Sequence, residues 1–465
     1  MIFKEKKTMR QRVFHCLFAL TAVLATFTAF AQDAAPKPES EPAEKPAAEK
    51  KETPRAEVVF VLDSTGSMSG LIEGAKQKIW SIANSIISQD PAPEIKIGLI
   101  SYRDRGDEYV TQIMDLTDDI DAVYAKLQSF RAAGGGDAPE SVNQALNEAV
   151  TKMSWSPADQ NVYRVIFLVG DCPPHMDYQD DVKYPETCKL AMEKFIIINT
   201  VQCGNDYSTT PIWQDIAKKS EGQFVQIAQT GGMIVIRTPY DDEIATLTRE
   251  LSSTVIPYGS METQAAVVGK LKRAESADAM LNASRAAYNI KSGGRAVQGK
   301  GDLVQSLADD DIALEAVEEE YLPEDMKNLS KEELEKVVKE KTAKRAELNA
   351  KILDLSKKRD LWLAENAKKV AAERKARIAA DRAAGAKYSR RLAAPRMEAL
   401  GAARIEAEMA VPAAAAPAME KFEMDAAPAA EMAAPAMAPA VEDDSASFDD
   451  SVSDIISNQM KKKEK

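Results

Sequence analysis

From Glu57 to Ala228 short apolar runs alternate with amphipathic stretches. The runs are EVVFVL, IKIGLISY, YVTQIMDL, VYRVIFLVG, FIIINTVQC and FVQIA. Helical periodicity fills the gaps, over 69–88, 118–130, 139–153, 185–194 and 211–220, and again over 241–254. Strands apolar on both faces and separated by helices predict a doubly wound α/β fold with a mainly parallel sheet. In such sheets, binding sites form in the loops beyond the carboxyl ends of the strands.

Past Gly259 the strand signal stops. Residues 262–287 carry helical periodicity, the Gly-rich loop KSGGRAVQGKG follows, and a short helix starts near Asp302. Ser330 and Glu333 then fit a capping box, with Leu329 and Leu334 placed to staple across it. Leu334, Val338, Leu348, Ile352, Leu355 and Trp362 follow a 4-3 spacing, while Lys341, Arg345 and Arg359 hold the remaining seam positions. That flawed heptad predicts a helical hairpin or a weak coiled coil, continued by an Ala/Arg/Lys-rich helix to about Met409.

Three flanking segments differ in texture. Basic residues precede an apolar run from Val13 to Phe30, and Ala29-Phe30-Ala31 fits a cleavage site, so 1–31 reads as a secretory signal peptide. An uncleaved anchor is the alternative, and no later stretch is long and apolar enough to span a bilayer. Residues 32–55 and 411–447 are low in complexity and read as disordered. In 448–465, Phe448, Val452, Ile455 and Ile456 share one face of a short amphipathic helix, read as a tethered peptide that docks somewhere. The domain plan is therefore 56–260 for the α/β domain, 261–328 for a helical extension and 329–410 for the long helix. Export to the periplasm or beyond is the expected location.

Charge narrows the function. The net charge of −13 becomes −17 once the five basic residues and one acidic residue of 1–31 are gone, which argues against general nucleic-acid binding. Cys172, Cys188 and Cys203 would remain, an odd number and too few for a disulfide scaffold. Cys203 reads as a buried thiol, with a bridge to Cys172 as the alternative. His175 is the sole histidine after the signal, and GSMSG departs from the G-x-S-x-G elbow. HExxH and CxxC zinc motifs are absent, and Gly134–Gly136 lack the Lys-Ser/Thr of a phosphate loop, so no catalytic or nucleotide chemistry is legible.

One stretch does carry chemistry. VFVLDSTGSMSG ends an apolar strand on Asp63 and sets Thr65 and Ser67 at alternate positions, with Gly66 allowing the bend. Carboxylate beside hydroxyl suits a hard divalent cation. FRAAGGGDAPES places Asp137 ahead of a helix start, and FLVGDCPPHMDY places Asp171 at the end of a later strand. Asp137 also fits a helix cap with Glu140, and both roles stay open.

These three segments together resemble the von Willebrand factor type A domain with its metal-ion-dependent adhesion site, over residues 57 to about 257. SYRDR, GGGDAPES, GDCPPHMDY, VQCG and TPYDDEI resemble its bacterial extracytoplasmic branch. The resemblance implies Mg²⁺, with Mn²⁺ or Ca²⁺ as alternatives. Thr65 and Ser67 would be direct ligands, and Asp63 and Asp171 would hold coordinated waters. A protein or peptide partner would complete the shell with an acidic side chain. Asp137 departs from the Thr that adhesive members carry, and a third carboxylate would weaken the pull on such a partner. The expected function is thus a non-catalytic, metal-dependent binding module, able to oligomerise through its helical region. The competing reading is an envelope assembly factor in which the helical region carries the interaction. Arg103 reads as a buried structural partner or a rim residue, and Asp177, Asp180 and Asp181 as a solvated loop or a second calcium-type site. The basic run from Lys368 to Arg396 reads as a solvated face or an anionic-surface contact.

Overall fold

The computed structural model describes residues 53–136, 138–157, 161–233, 236–408 and 447–463, parts of the long helix beyond Asn366 as backbone only. Residues 1–31, expected as a signal peptide, nearly all of the first low-complexity segment and Val411–Ala446 of the second lie outside the described residues, and so does Asp137.

Six strands form one sheet: β1 (Arg55–Asp63), β2 (Glu94–Tyr102), β3 (Thr111–Thr117), β4 (Val162–Gly170), β5 (Ile197–Cys203) and β6 (Phe224–Ile227). Their order is β3-β2-β1-β4-β5-β6, with β3 antiparallel at one edge and every other pairing parallel. The order reverses between β1 and its neighbours, which opens the loops after β1 and β4 side by side. The fold class read from the sequence is the one observed.

Alternation along β1 divides the core. Ala56, Val58, Phe60 and Leu62 point to one face, and Val59 and Val61 to the other. The first face is covered by α1 (Ser69–Ile87), α2 (Ile120–Ser129), α8 (Ala279–Lys291) and α11 (Phe448–Lys463). The second is covered by α3 (Val142–Thr151), α4 (Tyr184–Glu193) and α5 (Thr209–Lys219). The remaining helices are α6 (Asp241–Ser252), α7 (Met261–Ser276), α9 (Leu303–Ala308) and α10 (Lys331–Glu408). The periodicity over 262–287 is split into α7 and α8, because the Asp278 carboxylate accepts the Met280 N–H and starts a new helix. No described helix is long and apolar enough to cross a membrane.

The heptad seam of α10 meets this chain's own helices. Leu348, Ile352 and Leu355 pack with α6 and α8, and Leu334 and Val338 with Ile256 and α9. The basic seam positions then have a physical reason. Lys341 Nζ donates to Ser253 O at 2.7 Å, and Arg345 Nε to Thr254 Oγ1 at 3.0 Å, so both sit at the carbonyl end of α6, where cations are favoured. Arg345 Nη1 also lies 2.8 Å from Asp302 Oδ2. The capping box forms as expected, with Ser330 N–H donating to Glu333 Oε2 at 2.8 Å and Glu333 N–H to Ser330 Oγ at 3.2 Å.

Candidate functional site

The first loop turns directly off β1. Asp63 Oδ1 accepts the Thr65 N–H at 2.8 Å and the Thr65 Oγ1–H at 2.7 Å, and Ser67 Oγ lies 3.3 Å from Thr65 Oγ1. Asp63 is fully buried, Thr65 nearly so, and Ser67 faces solvent. The bend thus orders oxygens from a buried carboxylate out to an exposed hydroxyl.

The second loop is stitched to the first. Ala133 N–H donates to Ser64 O at 3.0 Å, and Gly66 N–H to Gly134 O at 3.2 Å. Gly135 sits at φ +71°, and a side chain there would place Cβ 2.8 Å from Thr65 Cβ, so glycine is required for the approach. The third loop joins the second through Glu140 N–H to Pro173 O at 2.9 Å and His175 N–H to Glu140 O at 3.0 Å. Gly170 lets β4 pass close to the site, since a Cβ there would lie 3.0 Å from Asp63 Cβ.

Asp171, half-buried at the end of β4, accepts Gln229 Nε2–H on Oδ2 at 2.6 Å, and the same amide reaches Ser67 O at 3.3 Å. Asp63, Thr65, Ser67 and Asp171 are therefore brought together. For Asp137 the expectation falls outside the described residues. Its capping alternative is corrected, however: α3 begins at Val142 with Ser141 at the N-cap, one residue beyond Glu140, so no box closes there.

The loop's described carboxylate at the site is Glu140. It is 1% exposed, and its Oε1 lies beside Gly135, the residue that abuts Thr65. Sequence periodicity over 139–153 placed it inside a helix. The apolar face Val142, Ala145, Leu146 and Ala149 begins two residues later and would have left Glu140 on the rim.

Three buried carboxylate oxygens, Asp63 Oδ2, Glu140 Oε2 and Asp171 Oδ1, have no hydrogen-bond partner. Burial, with the charge of Asp171 added, pushes the Asp63 carboxyl up to about 7 despite the Thr65 bonds. Burial, then the charges of Asp63, Asp104, Asp107 and Asp171, pushes Glu140 up to about 9. Tyr102, whose buried hydroxyl is also without a partner, is raised well above its ordinary value by burial and the same carboxylates. Unpaired, mutually repelling carboxylates in a dry setting form a cluster that gains from a cation. Among the described residues no three carboxylate, imidazole or thiol groups are placed to hold a metal ion by themselves.

Around this centre the rim is tied by structural pairs. Arg103 is buried, with Nη2 donating to Arg131 O at 2.7 Å, Nε to Ser64 O at 3.3 Å, and its guanidinium 4.2 Å from the Tyr109 ring. It braces two site loops, the structural role of its two readings. Asp180 and Asp181 pair with Arg105 at 2.9 and 2.8 Å, and Asp177 meets His175 Nδ1 at 2.8 Å, so each of the three carboxylates has one protein partner, while Asp181 Oδ2 is buried without one. Cys172, Cys188 and Cys203 are all free thiols, with Cys203 buried and its ionisation suppressed by burial, so the bridge alternative is corrected.

Residues 57–239 match the family model described as von Willebrand factor A domain. Among solved structures, the VWA domain of SpRpn10 is 16% identical and aligns with 38% of this chain and 89% of its own at a TM-score of 0.29. Proximal thread matrix protein 1 of the mussel byssus, solved with a zinc-occupied MIDAS motif, is 15% identical over 38% of this chain and 42% of its own, with a TM-score of 0.29. An ariadne-like RING finger protein of Acanthamoeba polyphaga mimivirus is 27% identical over 119 residues, 26% of this chain. The match spans 11% of that viral protein's length. At these TM-scores neither structural likeness bears on the site. The likeness to this domain type, commonly a protein-interaction module, rests on the family match and the sheet.

Proposed function

We propose that this chain is an exported, non-catalytic module that captures a protein or peptide ligand through a divalent cation. The carrying observation is the convergence of three loops on partnerless carboxylate oxygens of Asp63, Glu140 and Asp171 beside the Thr65 and Ser67 hydroxyls. Such a mixed oxygen set fits Mg²⁺ or Mn²⁺, with Ca²⁺ as the larger alternative. Bound there, the ion supplies a Lewis-acidic position for a partner's oxygen.

The protein's own groups do the rest. Asp63 fixes Thr65 through two hydrogen bonds, Gln229 fixes Asp171, and Arg103 holds the loops in register. An acidic partner side chain is the resemblance-based expectation. Glu140, as a third carboxylate, lowers the net charge of a loaded site and moves its preference toward neutral carbonyl or hydroxyl oxygens.

Pull-down from native envelope with the full chain, with and without EDTA, tests the reading. Capture should be lost with chelator and in Asp63→Ala while the circular dichroism spectrum is retained. Unchanged capture in both arms would rule out a metal-dependent mechanism.

A further inference from the structure

The loops around the candidate cation site gather at the carboxyl end of the sheet, and their charge is one-sided. RDRGDEYV (103–110), between β2 and β3, carries three acidic and two basic residues. DCPPHMDYQDDVK (171–183), after β4, carries four acidic and one basic, and GNDYS (204–208), after β5, adds Asp206. Asp63, Glu140 and Arg131 complete the described set, which makes ten carboxyl groups against four cationic ones. By formal count, a divalent ion would still leave this face four negative charges in excess.

Exposure sharpens the imbalance. The side chains of Glu108, Asp177 and Asp180 are 82%, 71% and 74% exposed. Arg103, by contrast, is buried, and Lys183 Nζ donates to Tyr178 O. Arg131 and Arg105 reach solvent, but Arg105 is shared between Asp180 and Asp181. Apolar side chains stand in the same loops, since Met176, Val182 and Tyr207 are all exposed. Met176 follows His175, whose N–H is held by Glu140 O at 3.0 Å. Tyr207 lies two residues before Thr209, whose hydroxyl donates to Asp171 O at 3.0 Å. Both therefore flank residues tied to the site.

We propose that this face captures a cationic segment of a partner protein. Its Lys or Arg side chains meet Glu108, Asp177 and Asp180, an apolar side chain packs on Met176 or Tyr207, and a neutral hydroxyl or carbonyl oxygen meets the ion. The proposal rests on the cation-dependent reading above and names the chemistry of its partner. A carboxylate-bearing segment would approach through a field of its own sign, which slows encounter and penalises contact. A basic segment is drawn in by the same field, which can raise association rates by about 10–10³-fold.

A random-peptide display library, panned on the full chain in MgCl₂ and eluted with EDTA, tests it. The eluted pool should be enriched in Lys, Arg and apolar residues and depleted in Asp and Glu relative to the unselected library. With Glu108→Lys/Asp177→Lys, at two exposed positions and with folding checked by circular dichroism, that bias should shrink. A peptide from the pool should also associate about tenfold or more slowly at about 1 M ionic strength, where the screening length is about 3 Å, than at about 0.01 M. An acidic or unbiased pool, or a rate indifferent to salt, overturns this proposal and leaves cation-dependent capture standing. An empty EDTA eluate overturns both.

Discussion

Arg359 Nε lies 2.8 Å from Asp241 Oδ1, and both side chains are buried between the long helix and the start of α6. Asp241 also accepts the Thr238 N–H at 2.7 Å and the Thr238 Oγ1–H at 2.9 Å, while Arg359 Nη2 reaches Ser284 Oγ at 3.2 Å. One ion pair thus joins α6, α8 and α10. Removing one member of a buried pair strands the other, at a cost of about 3–5 kcal/mol. Asp241→Ala should lower the free energy of unfolding by that amount. Asp241→Leu with Arg359→Met should recover much of it, as urea titration of both variants will show.

Asp121 and Arg285 tie α2 to α8 through two bonds of 2.7 Å, and Asp121 also accepts the Gln298 N–H at 2.9 Å. Burial alone would raise Asp121, but the Arg285 charge and these bonds outweigh it and hold its carboxyl below the ordinary 3.8. A depressed folded pKa gives stability that is fully present above the unfolded value and lost as pH falls through the folded one. Thermal melts from pH 7 to pH 2 should therefore show a loss setting in below about pH 4. Asp121→Asn should flatten that acid limb and lower stability at pH 7.

For the cation site, the raised Asp63 carboxyl sets a pH dependence of metal binding nearer neutrality. In the ion-free fold Asp63 holds its proton up to about pH 7, and a cation must displace it, so divalent affinity should fall up to about tenfold per unit below that pH. Titration calorimetry in two buffers of different ionisation enthalpy would register the released proton. Asp63→Asn should abolish the Mg²⁺-induced rise in melting temperature while leaving the ion-free protein as stable or more so, because a repelling buried charge is gone.

The part Glu140 plays can be read by substitution. Glu140→Gln keeps the shape and removes the charge, and should weaken divalent binding by roughly tenfold. Terbium luminescence competed with Mg²⁺ reads this directly, and an unchanged constant would remove Glu140 from the ligand set.

Arg103→Met should loosen two loops at once, since it removes the donors to Ser64 O and Arg131 O. Arg131 O loses its Arg103 donor, at a cost of about 1–3 kcal/mol, while Ser64 O keeps the Ala133 N–H. Hydrogen exchange should accelerate at Ala133 and Gly66, whose amides stitch the loops, before it changes in β1.

The sheet was readable in the chain because strands covered on both faces are unbroken apolar runs, as VYRVIFLVG is along β4. Asp63, Thr65, Ser67 and Asp171 were readable because alternate oxygens after a buried strand have few structural uses. Glu140 was not, since a helix start drawn three residues early hid it. The α10 seam was visible as a period, but a period names no partner. Only the fold shows that Arg345 and Arg359 answer Asp302 and Asp241 rather than a neighbouring coil. Deleting 262–465 to isolate the domain would also strip Leu281, Tyr288 and Phe448 from its core.

The place of Phe448 in that core has a consequence for biosynthesis. Phe60 and Ile227 leave the ribosome long before Phe448, their neighbour in one apolar cluster. At about 5–20 residues per second, the wait after Ile227 is on the order of 10–45 s. Throughout that interval the nascent sheet carries a bare hydrophobic strip, and any message truncated within it yields a product whose interior never closes.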